Sequence, residues 1–155
     1  MNLSVKKMNA DFIPFIYHVF EQNRAALHCG HISQEEWFDF IFGEAADPYE
    51  IHFIITDNDF PAAWLKLNGL NTPVICISML VVDKTYQHKG IGRYAIRYAE
   101  NYAIDNSKTA VRIQTTKDNI IAKECYLKCG YEIIREMVYR VGDGDREGYE
   151  FQKSF

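Results

Sequence analysis

Leu80-Val81-Val82-Asp83-Lys84-Thr85-Tyr86-Gln87-His88-Lys89-Gly90-Ile91-Gly92-Arg93 is where one apolar pattern gives way to another. Upstream, residues 74–82 are nearly all apolar, which reads as a central strand buried on both faces. Downstream, Ile91, Ala95, Ile96, Ala99, Tyr102 and Ala103 recur with the helical period. A buried strand ends, a short loop follows, and two glycines open an amphipathic helix. Backbone N–H groups at a helix start lack intrahelical partners and carry the positive end of the dipole, so anions bind there. Glycine keeps Cβ atoms out of the approach. The charge agrees: residues 84–99 hold Lys84, Lys89, Arg93 and Arg97 and no carboxylate, although the whole chain has net charge −4. The spacing is neither the dinucleotide-binding G-x-G-x-x-G nor a Gly-Lys-Ser/Thr nucleotide loop. A strand–helix corner that merely uses glycines is the plain alternative.

Working outward, residues 3–7 alternate and suggest a first strand. Asp11 is placed to cap a helix reaching about Asn23, with Phe12, Ile16, Val19 and Phe20 as its stripe and Pro14 in its first turn. Ser33 and Glu36 make a capping box for a second helix, with Trp37, Phe38, Ile41 and Phe42 as its buried face and Gly43 as its end. Strands follow at 51–56 and 60–67, separated by Asp57-Asn58-Asp59 turn chemistry. Beyond the long helix come a strand at 110–115, a helix at 119–129 ended by Gly130, and strands at 131–141 and about 149–154. Gly142-Asp143-Gly144-Asp145 reads as a hairpin turn, since the ligand spacing of a calcium loop is absent. The order is β-α-α-β-β-β-α-β-α-β-β. It implies a mixed central β-sheet flanked by helices on both faces, an α/β (α+β) fold, in one domain over residues 1–155.

The chain's 155 residues and 18.0 kDa suit one self-sufficient core; such a domain buries roughly 68–70% of its unfolded surface. No apolar run reaches the roughly 20 residues of a membrane span, and residues 1–10 lack the basic-then-apolar layout of a signal peptide. A cytoplasmic protein without membrane contact is the expectation. Cys29, Cys76, Cys125 and Cys129 are expected to be reduced thiols. His28-Cys29-Gly30-His31 offers too few ligands for a metal, so no metal is expected. A pI near 5.7, with cations concentrated at one loop, argues against nucleic acid.

A second segment carries chemistry. In Asn119-Ile120-Ile121-Ala122-Lys123-Glu124-Cys125-Tyr126-Leu127-Lys128-Cys129-Gly130-Tyr131, the residues Asn119, Ala122 and Tyr126 fall along one helix face. An amide, a small gap and a phenol in a row suit an extended thiol-bearing arm; an N-cap Asn and one buried Tyr would also account for them. Together the two segments resemble the Gcn5-related N-acetyltransferase (GNAT) superfamily. Residues 87–92 are similar to its Q/R-x-x-G-x-G/A signature and residues 119–131 to its N-x-x-A-x-x-x-Y-x-x-x-G-F/Y segment, in the same order. The resemblance spans nearly the whole chain.

That resemblance implies the GNAT fold and an acyl-CoA-dependent N-acyltransferase with acetyl-CoA as co-substrate. Gln87, His88, Lys89, Gly90, Ile91, Gly92 and Arg93 would bind the pyrophosphate, and Asn119, Ala122 and Tyr126 the pantetheine side. Leu80, Val81 and Val82 would line the thioester with strand backbone. The acetyl group would pass directly to a primary amine of a small molecule or peptide, with Tyr126 as general acid for the leaving thiol. Many relatives carry a base Glu on the central strand, but here that strand reads Ile75-Cys76-Ile77-Ser78-Met79-Leu80. Glu50, His52, Ser78 through water, or no dedicated base remain as options; His52 could equally face solvent from its strand. Asp83 reads as a turn-former.

For the acceptor, residues 25–65 hold Glu35, Glu36, Asp39, Glu44, Asp47, Glu50, Asp57 and Asp59 and no Lys or Arg. With Trp37, Phe38 and Tyr49, this acidic segment is either a wall for a cationic amine or a solvated helix face. The competing class is a non-catalytic acyl-CoA-binding or regulatory module of the same fold. A monomer or a homodimer fits either.

Overall fold

The computed structural model describes residues 1–142 and 144–155. Its strands are β1 (Leu3–Lys7), β2 (Ile51–Asp57), β3 (Phe60–Asn68), β4 (Val74–Val82), β5 (Ala110–Thr116), β6 (Glu132–Val141) and β7 (Gly144–Ser154). The helices are α1 (Ile13–Asn23), α2 (Gln34–Phe42), α3 (Ile91–Asp105) and α4 (Ile120–Lys128). The strand and helix order is the one the sequence predicts. The strands form one seven-stranded sheet, β1-β2-β3-β4-β5-β7-β6, antiparallel except for the β4–β5 pair. Of the turn expected at 142–145, Asp143 lies outside the described residues.

Two cores sandwich the sheet. Phe53, Ile55, Leu65 and Leu67 point to one face, where Ile91, Ala95, Ile96, Ala99 and Ala103 of α3 cover them and Cys125, Tyr126 and Cys129 of α4 pack at the border. Ile54, Trp64 and Val81 point to the other, beneath Ile16, Val19 and Phe20 of α1 and Trp37 of α2. That alternation is the strand's period of two expressed as burial.

Several local expectations change. Asp11 is not the first cap: Asn9 accepts from the Asp11 N–H at 2.9 Å over a short 3₁₀ turn, and α1 starts after it with Pro14 in its first turn. The capping box stands, with Glu36 N–H donating to Ser33 Oγ at 3.1 Å and Ser33 N–H to Glu36 Oε1 at 3.2 Å. The helix behind it is rotated from expectation, because its apolar residues nearly encircle it. Trp37 is 7% exposed, whereas Phe38 and Phe42 are 48% and 41% exposed. β7 begins at Gly144 rather than near 149, since its register with β6 runs through to the hairpin.

β4 is also not buried on both faces throughout. Lys66 pairs with Met79 while Leu67 pairs with Ile77, so Ser78 is an extra residue, a bulge. A one-residue insertion reverses which side chains face which layer. Ile75 and Ile77 before the bulge lie with the α3 core; after it Leu80 and Val82 take that side, and Val81 joins the α1–α2 core. The parallel ladder to β5 ends at the same level, with Ile77↔Ile113 as its last pair. Beyond it the two strands part, leaving a gap toward their C-terminal ends.

Candidate functional site

The gap between β4 and β5 opens toward two strand-to-helix corners. At the first, β4 runs into a 3₁₀ turn at Lys84–Tyr86, capped by Asp83, whose Oδ1 accepts from Thr85 N–H at 2.9 Å and Thr85 Oγ1 at 2.7 Å. Burial pushes the Asp83 carboxyl up, but the Thr85 hydrogen bonds and the neighbouring His18 outweigh it and hold the group below its usual range. Asp83 is thus a turn residue. Gln87 ties the loop down, donating through Nε2 to Val82 O at 3.1 Å and Asn23 Oδ1 at 3.3 Å.

None of the backbone N–H groups from His88 to Arg93 donates to a described residue. His88 (φ 61°) and Gly90 (φ 87°) are left-handed, and backbone of alternating hand turns successive N–H groups toward a common point, an anion-binding concavity. Gly90 caps α3 without any side-chain bond. A Cβ added at Gly90 or Gly92 would meet no atom within 4 Å. Gly90 is explained by its φ, but Gly92 is explained neither by φ nor by packing, and glycine inside a helix costs about 1 kcal/mol relative to alanine. The space beside it is open to a group approaching from outside. Beside this loop, a cleft of about 210 Å³ between α3 and α4 is lined by Arg93, Arg97, Lys128 and Lys153, with Glu100 the one acid among its lining residues. The residues present therefore fit a phosphorylated ligand.

At the second corner, Asn119 Oδ1 accepts from Ala122 N–H at 3.2 Å and starts α4. Tyr126, half-buried, meets Phe151 edge-on at 5.3 Å, and its hydroxyl has no hydrogen-bond partner among the described residues. Burial raises its pKa well above the ordinary phenol value, with Cys125 and Tyr139 adding to the effect. The phenol stays protonated and free to donate.

On the opposite face, away from α3 and α4, a cavity of about 300 Å³ sits where the strands part. Cys76 and Ser78 of β4, Arg112 and Gln114 of β5, Tyr139 of β6 and Glu150 of β7 line it. Apart from Ser78, these residues escape the sequence reading because four separate strands supply them. The one signal was polar alternation, Arg112 and Gln114 between Val111, Ile113 and Thr115. A Cβ at Gly148 would lie 2.3 Å from the Tyr139 ring, so glycine there is what lets Tyr139 lie across the strand. The hairpin tip reaches the α1–α2 loop, where a Cβ at Gly142 would stand 2.7 Å from His28 O. His28 Nε2 also lies 3.6 Å from Asp118 Oδ2, and His31 Nδ1 is 2.9 Å from Glu21 Oε1.

The two candidate bases are neighbours, and His52 does not face solvent. Its side chain is 10% exposed, and its Nδ1 accepts from Trp64 Nε1 at 3.1 Å. Burial first, then the charge of Lys66, pulls the imidazole down to about 4, so it is neutral near pH 7. Glu50 lies 3.7 Å from both His52 Nε2 and Lys66 Nζ. Of the aromatics expected at an acceptor wall, Trp37 is in the core, edge-on to Phe20 and Trp64, while Phe38 and Tyr49 stand at the surface. No residue of α2 lines the 300 Å³ cavity.

The model of a family described as "Acetyltransferase (GNAT) family" matches residues 10–131. The Escherichia coli protein named streptothricin acetyltransferase is 28% identical over 69 residues, 44% of this chain and 40% of its own length, so the match spans less than half of that relative. A Lactobacillus delbrueckii subsp. lactis protein, an uncharacterized N-acetyltransferase in the pepI 3' region, is 25% identical over 128 residues, 75% of this chain and 71% of its own. Among solved structures, spermidine N-acetyltransferase from Vibrio cholerae in complex with CoA and spermine superposes with a TM-score of 0.86 at 16% identity, over 99% of this chain and 95% of that one. The ribosomal-protein-S18-alanine N-acetyltransferase from Escherichia coli gives 0.77 at 16%, over 98% and 93%. At such identities these structures share the fold.

Proposed function

The chain belongs to the acetyltransferase (GNAT) family, and we propose that it moves an acetyl group from acetyl-CoA to a primary amine of a small molecule or peptide. The observation that carries this reading is the row of amides from His88 to Arg93 without a partner among the described residues, beside a glycine at 92 that no described neighbour requires. Acetyl-CoA, when bound, supplies an acetyl group activated as a thioester. The amides of residues 88–93 hold its diphosphate, with Arg93, Arg97 and Lys128 adding positive charge. The backbone of Leu80, Val81 and Val82, past the last β4–β5 pair and with Val82 O already taken by Gln87, would line the thioester, and Asn119 and Ala122 would flank the arm.

Tyr126 would give its proton to the departing thiolate, releasing it as the thiol; its raised pKa keeps that proton available at neutral pH. The incoming amine must be neutral, and an alkylamine resembles lysine, with a pKa of about 10.4. Between the expected bases, the geometry favours Glu50. His52 has its Nδ1 lone pair engaged by Trp64 and is a poor proton acceptor, but its Nε2 is placed to orient the Glu50 carboxylate.

Two measurements test the reading together. Calorimetric titration with CoA is expected to show saturable one-site binding, and thiol release from acetyl-CoA is expected to depend on added amine. Absence of CoA binding would end the proposal. Binding with no thiol release across polyamines, aminoglycosides, amino acids and peptides would instead make the protein an acyl-CoA-binding module.

A further inference from the structure

The 300 Å³ cavity is at the small end of ligand pockets, and among the described residues two charged side chains line it, Arg112 and Glu150. Glu150 is buried and fully engaged: Oε2 accepts from Gln114 Nε2 at 2.6 Å and Oε1 from Arg135 Nε at 3.0 Å. Burial pushes its carboxyl up, yet those bonds, with the charges of Arg135 and then Arg112, outweigh it and hold the group below its usual range. Burial also raises the Cys76 thiol and the Tyr139 phenol, so both are neutral. Arg112 differs from all of these. Its Nε donates to Gln152 Oε1 at 2.7 Å, and Gln152 in turn donates to Ser154 Oγ at 3.0 Å. The guanidinium is held at that one atom, while its two Nη groups donate to no described residue.

A fixed guanidinium with a free fork matches a planar carboxylate, which accepts two parallel N–H bonds. The position also sets a length. Arg112 is the ladder partner of Cys76, and Ser78 marks the point where β4 leaves β5. Two residues along a strand cover about 7 Å, so a group on Arg112 lies a short chain's length from the gap where an amine would meet the acetyl donor.

We propose that Arg112 holds a carboxylate of the acceptor, so that the amine acetylated here is the far end of a short peptide or an ω-amino acid rather than a polyamine. This rests on the acyl-transfer reading only in taking the cavity as the acceptor seat. The test compares matched amines: alanylalanine against its C-terminal amide, and lysine against cadaverine. The acid member of each pair is expected to show kcat/KM about tenfold or more above its partner, the effect of losing a charge-assisted hydrogen bond. Arg112→Gln is expected to shrink that preference to about threefold or less while CoA affinity by calorimetry stays within about twofold. Arg112→Lys, which keeps the charge without the fork, retains part of the preference. Equal or better turnover of the amide and of cadaverine by the unaltered protein, or a full preference in Arg112→Gln, overturns the inference while leaving acyl transfer standing. If none of the four is acetylated, their calorimetric titration into CoA-saturated protein still decides. Arg112-dependent binding of the two acids upholds the carboxylate seat without deciding acyl transfer, and no binding of the acids, or binding unchanged in Arg112→Gln, overturns it.

Discussion

Two strand-to-helix corners stand at the same end of the sheet, and they are finished in opposite ways. At the β5–α4 corner four backbone donors find partners: Lys117 N–H donates to Glu147 O, Asn119 N–H to Thr116 O, Ala122 N–H to the Asn119 side chain and Lys123 N–H to Asn119 O. At the β4–α3 corner the donors from His88 to Arg93 have none among the described residues, and the cap is a glycine with no side chain to offer. The same chain closes α2 with a complete capping box, so the bare corner is local and not a habit of this sequence. An uncapped helix start costs stability that a side chain of Ser, Thr, Asn or Asp would restore. Leaving it bare makes sense where a ligand's acceptors complete it. On the proposed reading, the other corner has a different task, to carry Tyr126.

The proposed function would put affinity at one corner and turnover at the other, and four substitutions probe that division. Tyr126→Phe is expected to lower kcat by tenfold or more, the lower range of general-acid effects, with CoA affinity by calorimetry nearly unchanged. A parallel loss of affinity would erase the distinction. Gly90→Val is expected to do the reverse, weakening CoA about tenfold or more. It also lowers folding stability in a urea titration by about 1–2 kcal/mol, because a branched residue is strained at φ 87°. Unchanged CoA affinity would show that the phosphates bind elsewhere. Asn119→Ala is expected to cost about 1 kcal/mol in the same titration through the lost cap; no loss would mean that the closed corner is not closed by Asn119. Gly92→Ala is expected to gain a few tenths of a kcal/mol up to about 1 kcal/mol from helix propensity and yet to weaken CoA. A gain in stability with full affinity would leave that glycine unexplained.

The features legible in the sequence were those written in neighbouring residues. Ser33 and Glu36 are three apart and announce α2, and the change of period at residues 83–91 announces the β4–α3 corner. The bulge at Ser78 was invisible, because an insertion in an apolar strand leaves composition untouched and shows only against the partner strand. The rotation of α2 was hidden by apolar residues on more than one side, so Trp37 and Phe38 could not be ranked by pattern. Gly144 and Asp145 read as turn chemistry with the last strand starting only near Tyr149, yet residues 144–148 are strand because β6 pairs with them and Tyr139 lies over Gly148. Arg112, Gln114, Tyr139 and Glu150 form one cavity only through sheet register, which local spacing does not encode. His52 looked solvent-facing by alternation. It is buried because the face it points to is the one roofed by α1 and α2.

The extra residue in β4 has a consequence for how this gene can change. Removing the codon for Ser78 would do far more than shorten a loop by one step. From that point Leu80 and Val82 would trade layers with Met79 and Val81, and the strand's last turn of phrase would be read from its wrong side all the way to Asp83. Frame-preserving deletions there should therefore behave like nonsense alleles, while ordinary missense changes at the same exposed serine pass unnoticed by the fold.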